Sequence, residues 1–387
     1  MDINILMNLI KLVQRGGCSL PWLHTEINLQ GNHARPCCKY TEEVSSAVDF
    51  KSGWFIDKFS KLRTDIINNN SLPQCLACDV SKDSFSYKKW KNDIYTTRGL
   101  IASIDTDTVQ LPKVFHFTLS NTCNLACRMC FPGSSSKLAE LSKKSEYLTK
   151  LYQHRYDKKI SIESFAGAFS NAEYLTISGG EPLIDEDCFK LIEMVKAESS
   201  SLKSITFSTN MTLLNLKLID LLVSLNVKIH FNISIDGPAH IQEYIRVNSH
   251  WPKILSNISY LKSLSDNFRF GANSTISALN VGYLPELIET LNTTERDLGI
   301  KFTHIMSTPV LERNLHPGSL PQQVKDFYKD KLSKSTVAGN MSDRRMLIAT
   351  GLELMNQQPS NGELFMTFIK EFDIAANTDY KNIYPEF

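Results

Sequence analysis

Between residue 112 and about residue 310 the chain alternates short β-rich runs with stretches whose apolar residues recur at three and four. The runs are VFHFTLS (114–120), YLTIS (174–178), SITFS (204–208), VKIHFNISI (227–235), FRFGANSTI (268–276) and KFTHIM (301–306). Between them lie amphipathic patterns such as DCFKLIEMVKAE, LNLKLIDLLVSL and KILSNISYLKSL. Six such repeats require a parallel sheet with right-handed crossovers, since parallel strands need helices on their outer face. The spacing therefore predicts an α/β fold, with the sheet curled into a partial (β/α)6 barrel and its site on loops at the C-terminal strand ends.

The flanks read differently. Residues 1–99 hold clustered cysteines, a turn at LQGNHA between short strands, and a helical pattern near WFIDKFSKLRTDIIN. They are expected to form a small domain of their own. Residues 100–310 would then be the barrel, and 311–387, with two or three helical patterns and no motif, a helical cap. The opening MDINILMNLIKLVQRGG has a short apolar stretch but neither a signal-peptide layout nor the roughly 20 apolar residues of a membrane span, so it reads as an amphipathic helix of a cytoplasmic protein.

Lys and Arg number 42 against 41 Asp and Glu, a net charge of +1. That balance gives no broad basic field for a phosphate backbone, and nucleic acid is unsupported as a partner. Of nine cysteines, eight fall into two regions, five between residues 18 and 78 and three between 123 and 130. In a large chain of cytosolic character this grouping points to metal rather than to disulfides.

Cys123, Cys127 and Cys130 form C-x3-C-x2-C directly after the first barrel run. Three thiolates on one short loop hold three irons of a cubane and leave the fourth iron without a protein ligand. Electron-carrier ferredoxins and structural zinc sites both use four ligands instead. The rival reading from these residues is a non-catalytic zinc-binding interaction protein. A brown or a colourless reconstituted protein would separate the two.

The segment SNTCNLACRMC resembles the cluster loop of the radical S-adenosylmethionine (SAM) superfamily, and the motifs after it come in that family's order. The resemblance implies a [4Fe–4S] cluster on Cys123, Cys127 and Cys130 that reductively cleaves SAM. The resulting 5′-deoxyadenosyl radical would abstract a substrate hydrogen. Met129 stands in the slot before the third cysteine where the family often has an aromatic residue. Gly179-Gly180-Glu181-Pro182 is similar to the GGEP motif, which implies that Glu181 meets the SAM ammonium; two glycines also let the backbone approach a ligand closely. Ser208 and Asn210 resemble the ribose-binding position, and Ser234, Asp236 and Arg246 a further part of the SAM site, with Arg246 on the SAM carboxylate. Asn273, Thr275 and His304 are expected to face the same cavity, and Cys188 to be a packed thiol.

The N-terminal cysteines resemble the SPASM/twitch auxiliary-cluster module, here placed before the barrel. The resemblance implies a second [4Fe–4S] cluster on Cys18, Cys37, Cys75 and Cys78. Adjacent strand residues point to opposite faces, so Cys37 and Cys38 would not both serve, and the position of the turn glycine Gly31 favours Cys37. A four-cysteine zinc site has the same ligand count. By the same resemblance the substrate is a peptide side chain, with a nucleoside or sugar-like small molecule as the alternative, and the electron donor a flavodoxin or ferredoxin.

Overall fold

The computed structural model describes residues 20–37, 40, 42–55, 57–68, 72–75, 111–153, 160–335, 342–357 and 362–387. The expected N-terminal helix and Cys18, Cys38 and Cys78 lie outside these residues. The architecture is α/β with a mostly parallel sheet, as the alternation of the sequence requires. The chain divides into two compact units. The first is Met1–Leu119, Tyr156–Ile177 and Phe189–Ile205, and the second is Ser120–Arg155, Ser178–Cys188 and Thr206–Phe387.

In the first unit, β1 (His24–Asn28), β2 (His33–Arg35) and β3 (Ser45–Ser46) form an antiparallel meander. β1 also pairs in parallel with β4 (Val114–Thr118), Glu26 opposite His116. Phe115 and Phe117 alternate with His116 and put their rings on the other face of β4, against Phe169 at 5.1 Å and Phe165 at 5.2 Å between centroids. β6 (Tyr174–Ser178) begins in this unit. The helices Phe50–Phe55 and Asp57–Ile67 bury Phe50, Trp54 and Phe59, and the Arg63 guanidinium stacks 4.5 Å from the Trp54 ring.

β7 (Ser204–Thr209) begins in the first unit, and from Thr206 on it leads the second unit's strand order β7-β8-β10-β11, with β8 at Lys228–Ser234, β10 at Phe268–Ile276 and β11 at Phe302–Pro309. Strand alternation sorts the side chains. Ile229, Phe231 and Ile233 are fully buried on one face of β8, while Lys228, His230, Asn232 and Ser234 take the other. Phe231 stacks with Phe207 at 5.7 Å and with Phe270 at 6.0 Å, so one aromatic row joins the apolar faces of three strands. Helices begin where the sequence offers caps: Asn215 accepts from the amides of Lys217 and Leu218 at the start of Leu216–Val223, and Ser135 from Leu138 at the start of Ser136–Ser142. Helices Gln322–Lys334, Ser342–Met355 and Gly362–Ala376 complete the unit. No helix among the described residues is long and apolar enough to cross a membrane.

Candidate active site

All parts of the site belong to the second unit. The loop 120–136 is anchored at several points before any ligand is considered. Cys127, in the two-residue strand β5 (Ala126–Cys127), pairs antiparallel with Arg246 in β9 (Arg246–Val247). The Arg128 amide donates to the Ile245 carbonyl at 2.9 Å, and the Ser135 hydroxyl to the Leu125 carbonyl at 2.6 Å. The Arg128 side chain turns away from the loop into the core. It pairs with Asp373 at 2.6 Å, donates to Thr378 at 2.7 Å, and lies between the rings of Tyr244 at 3.9 Å and Phe372 at 4.5 Å. The last helix thus grips the loop from behind.

The glycine-rich turn is laced to the same loop. The Gly180 amide donates to Ser120 O at 2.7 Å and the Glu181 amide to Thr122 O at 2.8 Å. A Cβ at Gly180 would stand 2.2 Å from Thr122 O, so this approach is open to glycine alone, and Gly179 has a φ of +133°.

A cavity of about 430 Å³ opens between these pieces. Cys123, Cys127 and Cys130 line it together with Gly179, Gly180, Ser208, Asn210, Ser234 and Arg246. Nine of the sequence-designated residues therefore share one space. Met129, in the slot before the third cysteine, and Thr275 line it as well. Burial pushes all three thiols above the ordinary thiol range, Cys130 to about 11. Among the described residues no three His, Cys, Asp or Glu side chains converge closely enough to hold a single metal ion.

Glu181, Pro182 and Asp236 stand behind the lining. The Glu181 carboxylate is buried and accepts from the Leu183 amide at 3.1 Å, the Thr209 hydroxyl at 2.7 Å and the Asn210 amide at 2.6 Å. It ties the glycine turn to the end of β7. Burial raises its pKa from 4.5 to about 7, against the pull of these donors. Asp236, fully buried, accepts from Arg246 Nε at 2.7 Å and from the Thr275 amide at 2.7 Å. Arg246 directs Nη1 at Cys127 Sγ, 3.7 Å away; burial disfavours its charge, but Asp236 more than offsets this and the guanidinium stays protonated. Asn210 reaches Asn124 at 3.1 Å, which donates to Thr212 at 2.8 Å.

Asn273 accepts from Thr308 at 3.1 Å, and His304 meets Asn232 and Thr303; both lie on the strands below the cavity rather than in its lining. Cys188 is fully buried. The lining also takes in Thr308, Pro309, Leu311 and Glu312 from the end of β11, which the motif reading passed over. The signal was available, since any loop at the C-terminal end of a parallel strand is a candidate wall of the site.

In the first unit, the Tyr40 hydroxyl is pushed up to about 12 by burial first, then by Glu42, Cys75, Asp65 and Cys37. Cys37 and Cys75 therefore both bear on one tyrosine although far apart in sequence.

The fold and the cavity together define the class. Residues 117–291 match the family described as the Radical SAM superfamily. The chain's relatives in sequence are enzymes. The chain is 24% identical over 260 residues to a probable GTP 3′,8-cyclase of Methanocaldococcus jannaschii, covering 65% of this chain and 78% of that one. It is 27% identical over 256 residues to the radical SAM cyclopropyl synthase TigE of Paramaledivibacter caminithermalis, covering 62% of this chain and 52% of that one. Among solved structures it resembles anSMEcpe with bound AdoMet (17% identity, TM-score 0.39, 52% of each chain). The chain spans about half the length of the latter two.

Proposed function

We propose that the chain reductively cleaves SAM and uses the 5′-deoxyadenosyl radical to abstract hydrogen from a substrate. The observation that carries this is the convergence of the three loop thiols, the two turn glycines and Arg246 on one cavity. A cubane presents its irons at separate corners, so three thiolates serve it without meeting at one point. The donor set fits such a cluster with one open iron, held by Cys123, Cys127 and Cys130. When bound, the cluster supplies the electron that breaks the C5′–S bond of SAM.

The chain's own residues bind and orient. The backbone of Gly179 and Gly180 and the Arg246 fork receive the amino-acid part of SAM, with Ser234 beside them and Asp236 holding Arg246 in place. Ser208 and Asn210 receive the ribose. Glu181 sets the distance between these two groups by gripping the ends of both, and Pro182 fixes the turn that follows.

For the substrate we propose a peptide side chain, on the resemblance to SPASM maturases. A nucleoside or sugar-like molecule is the second reading, and the similarity to a probable GTP 3′,8-cyclase is what favours it. On the same resemblance we propose an auxiliary cluster on Cys18, Cys37, Cys75 and Cys78, a flavodoxin or ferredoxin as reductant, and a cytoplasmic setting. The test is anaerobic reconstitution followed by SAM and dithionite, with chromatography of the nucleosides. Release of 5′-deoxyadenosine is expected; a colourless protein that leaves SAM intact would overturn the reading. Mass spectrometry of candidate peptides incubated with the protein would then decide the substrate class.

A further inference from the structure

The lining residues assigned to SAM stand on the turn after β6, at the ends of β7 and β8, and at Arg246, but the cavity continues to the end of β11. β10 lies between β8 and β11, and Thr275 on β10 is in register with Thr308 on β11. At about 4.8 Å per strand, the end of β11 is roughly 10 Å beyond that of β8. Thr308, Pro309, Leu311 and Glu312 line the cavity from there. Tyr152 shows that this wall returns to the cluster loop. Its hydroxyl pKa is raised by burial first and then by Glu312 and Cys130, and Phe131, next after Cys130, lines the same cavity.

Two large apolar side chains of this lining face water, Leu311 at 86% exposure and Phe131 at 41%. One exposed leucine means little, whereas two on one cavity make an apolar rim of the kind found where a ligand is covered. The rim includes a carboxylate. Glu312 Oε1 accepts from the Asn314 amide at 3.0 Å and caps the turn Arg313–Leu315, which holds the side chain in place. Its Oε2 has no hydrogen-bond or ion-pair partner among the described residues. The charged groups of the lining are Arg246 and Glu312, and Arg246 is already paired with Asp236 at 2.7 Å. On the helix Glu146–Leu151 and at its end, the Tyr147 and Tyr152 hydroxyls are both raised by burial and then by Glu312. The Tyr152 hydroxyl is buried and without a partner. Phenols beside the carboxylate leave its charge uncompensated.

A carboxylate placed in this way beside apolar surface gains most from a cation on an aliphatic stem. We propose that Glu312 holds an ammonium or guanidinium group of the substrate, with Leu311 and Phe131 covering the carbons that carry it. The proposal rests on the radical SAM reading and adds the substrate's chemical class. Two sources have this chemistry, a basic side chain of a peptide and a small aliphatic amine.

Calorimetry on the reconstituted full-length protein, first without SAM and then with it, tests the assignment. The probes are acetyl-Leu-Lys-Leu amide against acetyl-Leu-Gln-Leu amide, and n-butylamine against n-butanol. Within each pair the cationic member should bind at least about tenfold more tightly at neutral pH, and Glu312→Gln should remove that preference while keeping an acceptor for the Asn314 amide. Leu311→Ala should weaken both members of a pair and leave their ratio unchanged. In the wild type the ratio should also shrink at about 0.5 M salt, which needs no variant to fold. The lysine peptide bound tenfold more tightly than butylamine assigns the cation to a peptide, and equal affinity assigns it to a small amine. Wild-type protein that binds both members of each pair equally, or a preference that survives in Glu312→Gln, overturns the proposal. A tenfold loss of SAM affinity in that variant overturns it too, because the carboxylate would then meet SAM's own cations. SAM titrated into the wild type alone reads the radical SAM claim separately, so either can fail without the other.

Discussion

The two groups of cysteines occupy contrasting surroundings. Cys123, Cys127 and Cys130 fall within eight residues on a loop that is hydrogen-bonded to the glycine turn, paired with Arg246 and gripped from behind by the last helix. Cys37 and Cys75, half-buried like Cys123 and Cys130, come from segments 38 residues apart in sequence. Ordering the first group costs little beyond a loop that the fold already fixes, whereas the second must also close a long chain segment before its thiols meet. The site's precision is therefore built by its supports as much as by its ligands.

The largest expected effect breaks the first group. Replacing Cys123, Cys127 and Cys130 together by Ala should abolish 5′-deoxyadenosine formation under dithionite, and undiminished product would sink the central claim. Iron sharpens the contrast: with two cubanes the wild type should approach about eight irons per chain and this variant about four. A variant that keeps one zinc and no iron would make the N-terminal group a zinc site.

Next comes the support behind the loop. Arg128→Leu leaves Asp373 buried at 6% exposure without its cation and removes the guanidinium from between Tyr244 and Phe372. Breaking a buried pair in this way costs about 3–5 kcal/mol, while Cys37→Ala should cost under about 1 kcal/mol. Urea midpoints compare the two variants directly. If they fall by similar amounts, the loop is not held from behind.

Much of this was legible because the relevant signals are local. The runs at 174–178 and 268–276 coincide with β6 and β10, and the other four differ from their strands by one to three residues at an end, since alternation and β-branching fix strand existence better than its limits. The thiols, the glycines, Ser208, Asn210, Ser234 and Arg246 shared a motif order and proved to share a cavity. Long-range partners were not legible. Nothing in HTEIN announces its parallel pairing with VFHFT, because register is a property of two segments. Nor does CRMC reveal that its arginine belongs to the core and to Asp373, 245 residues away.

Proton linkage gives the two units opposite signs. His24 is held at about 4 instead of 6.5 by burial, with Pro36 O raising it and His116 lowering it further. Above pH 6.5 the ring is neutral whether folded or unfolded. As pH falls from 6.5 to 4 the unfolded chain takes a proton that the folded one refuses, and stability drops by at most about 3 kcal/mol. Glu181, raised to about 7, runs the other way: stability is greatest below pH 4.5 and declines as pH rises to 7, by a similar upper limit. The two windows overlap and their slopes oppose, so in urea unfolding from pH 4 to 8 His24→Gln should make stability fall more steeply with rising pH below 7, and Glu181→Gln should make it rise. Identical profiles for both variants and wild type would mean that neither group titrates on unfolding.

The smallest expected effect concerns Glu181 in the native site. A direct contact with the SAM ammonium would need the carboxylate in the cavity, yet both of its oxygens are engaged by Leu183, Thr209 and Asn210 behind the wall. Glu181→Ala should therefore act through its neighbours, releasing the Asn210 amide and the Thr209 hydroxyl and loosening the end of β7 against the glycine turn. The lost charge-assisted hydrogen bonds are worth about 1.5–3 kcal/mol in place, and part of that should appear as a rise of about tenfold in the SAM dissociation constant. Iron content should stay near wild type, because no thiol depends on this carboxylate. A direct and an indirect role separate on the ligand. If Glu181 meets the ammonium, an analogue lacking the amino group should bind variant and wild type equally; if Glu181 positions Asn210, the analogue should lose the same tenfold as SAM, and S-adenosylhomocysteine as well. Equal binding of the amino-less analogue would return Glu181 to the cavity and move the burden of holding β7 to the backbone contacts of Ser120 and Thr122.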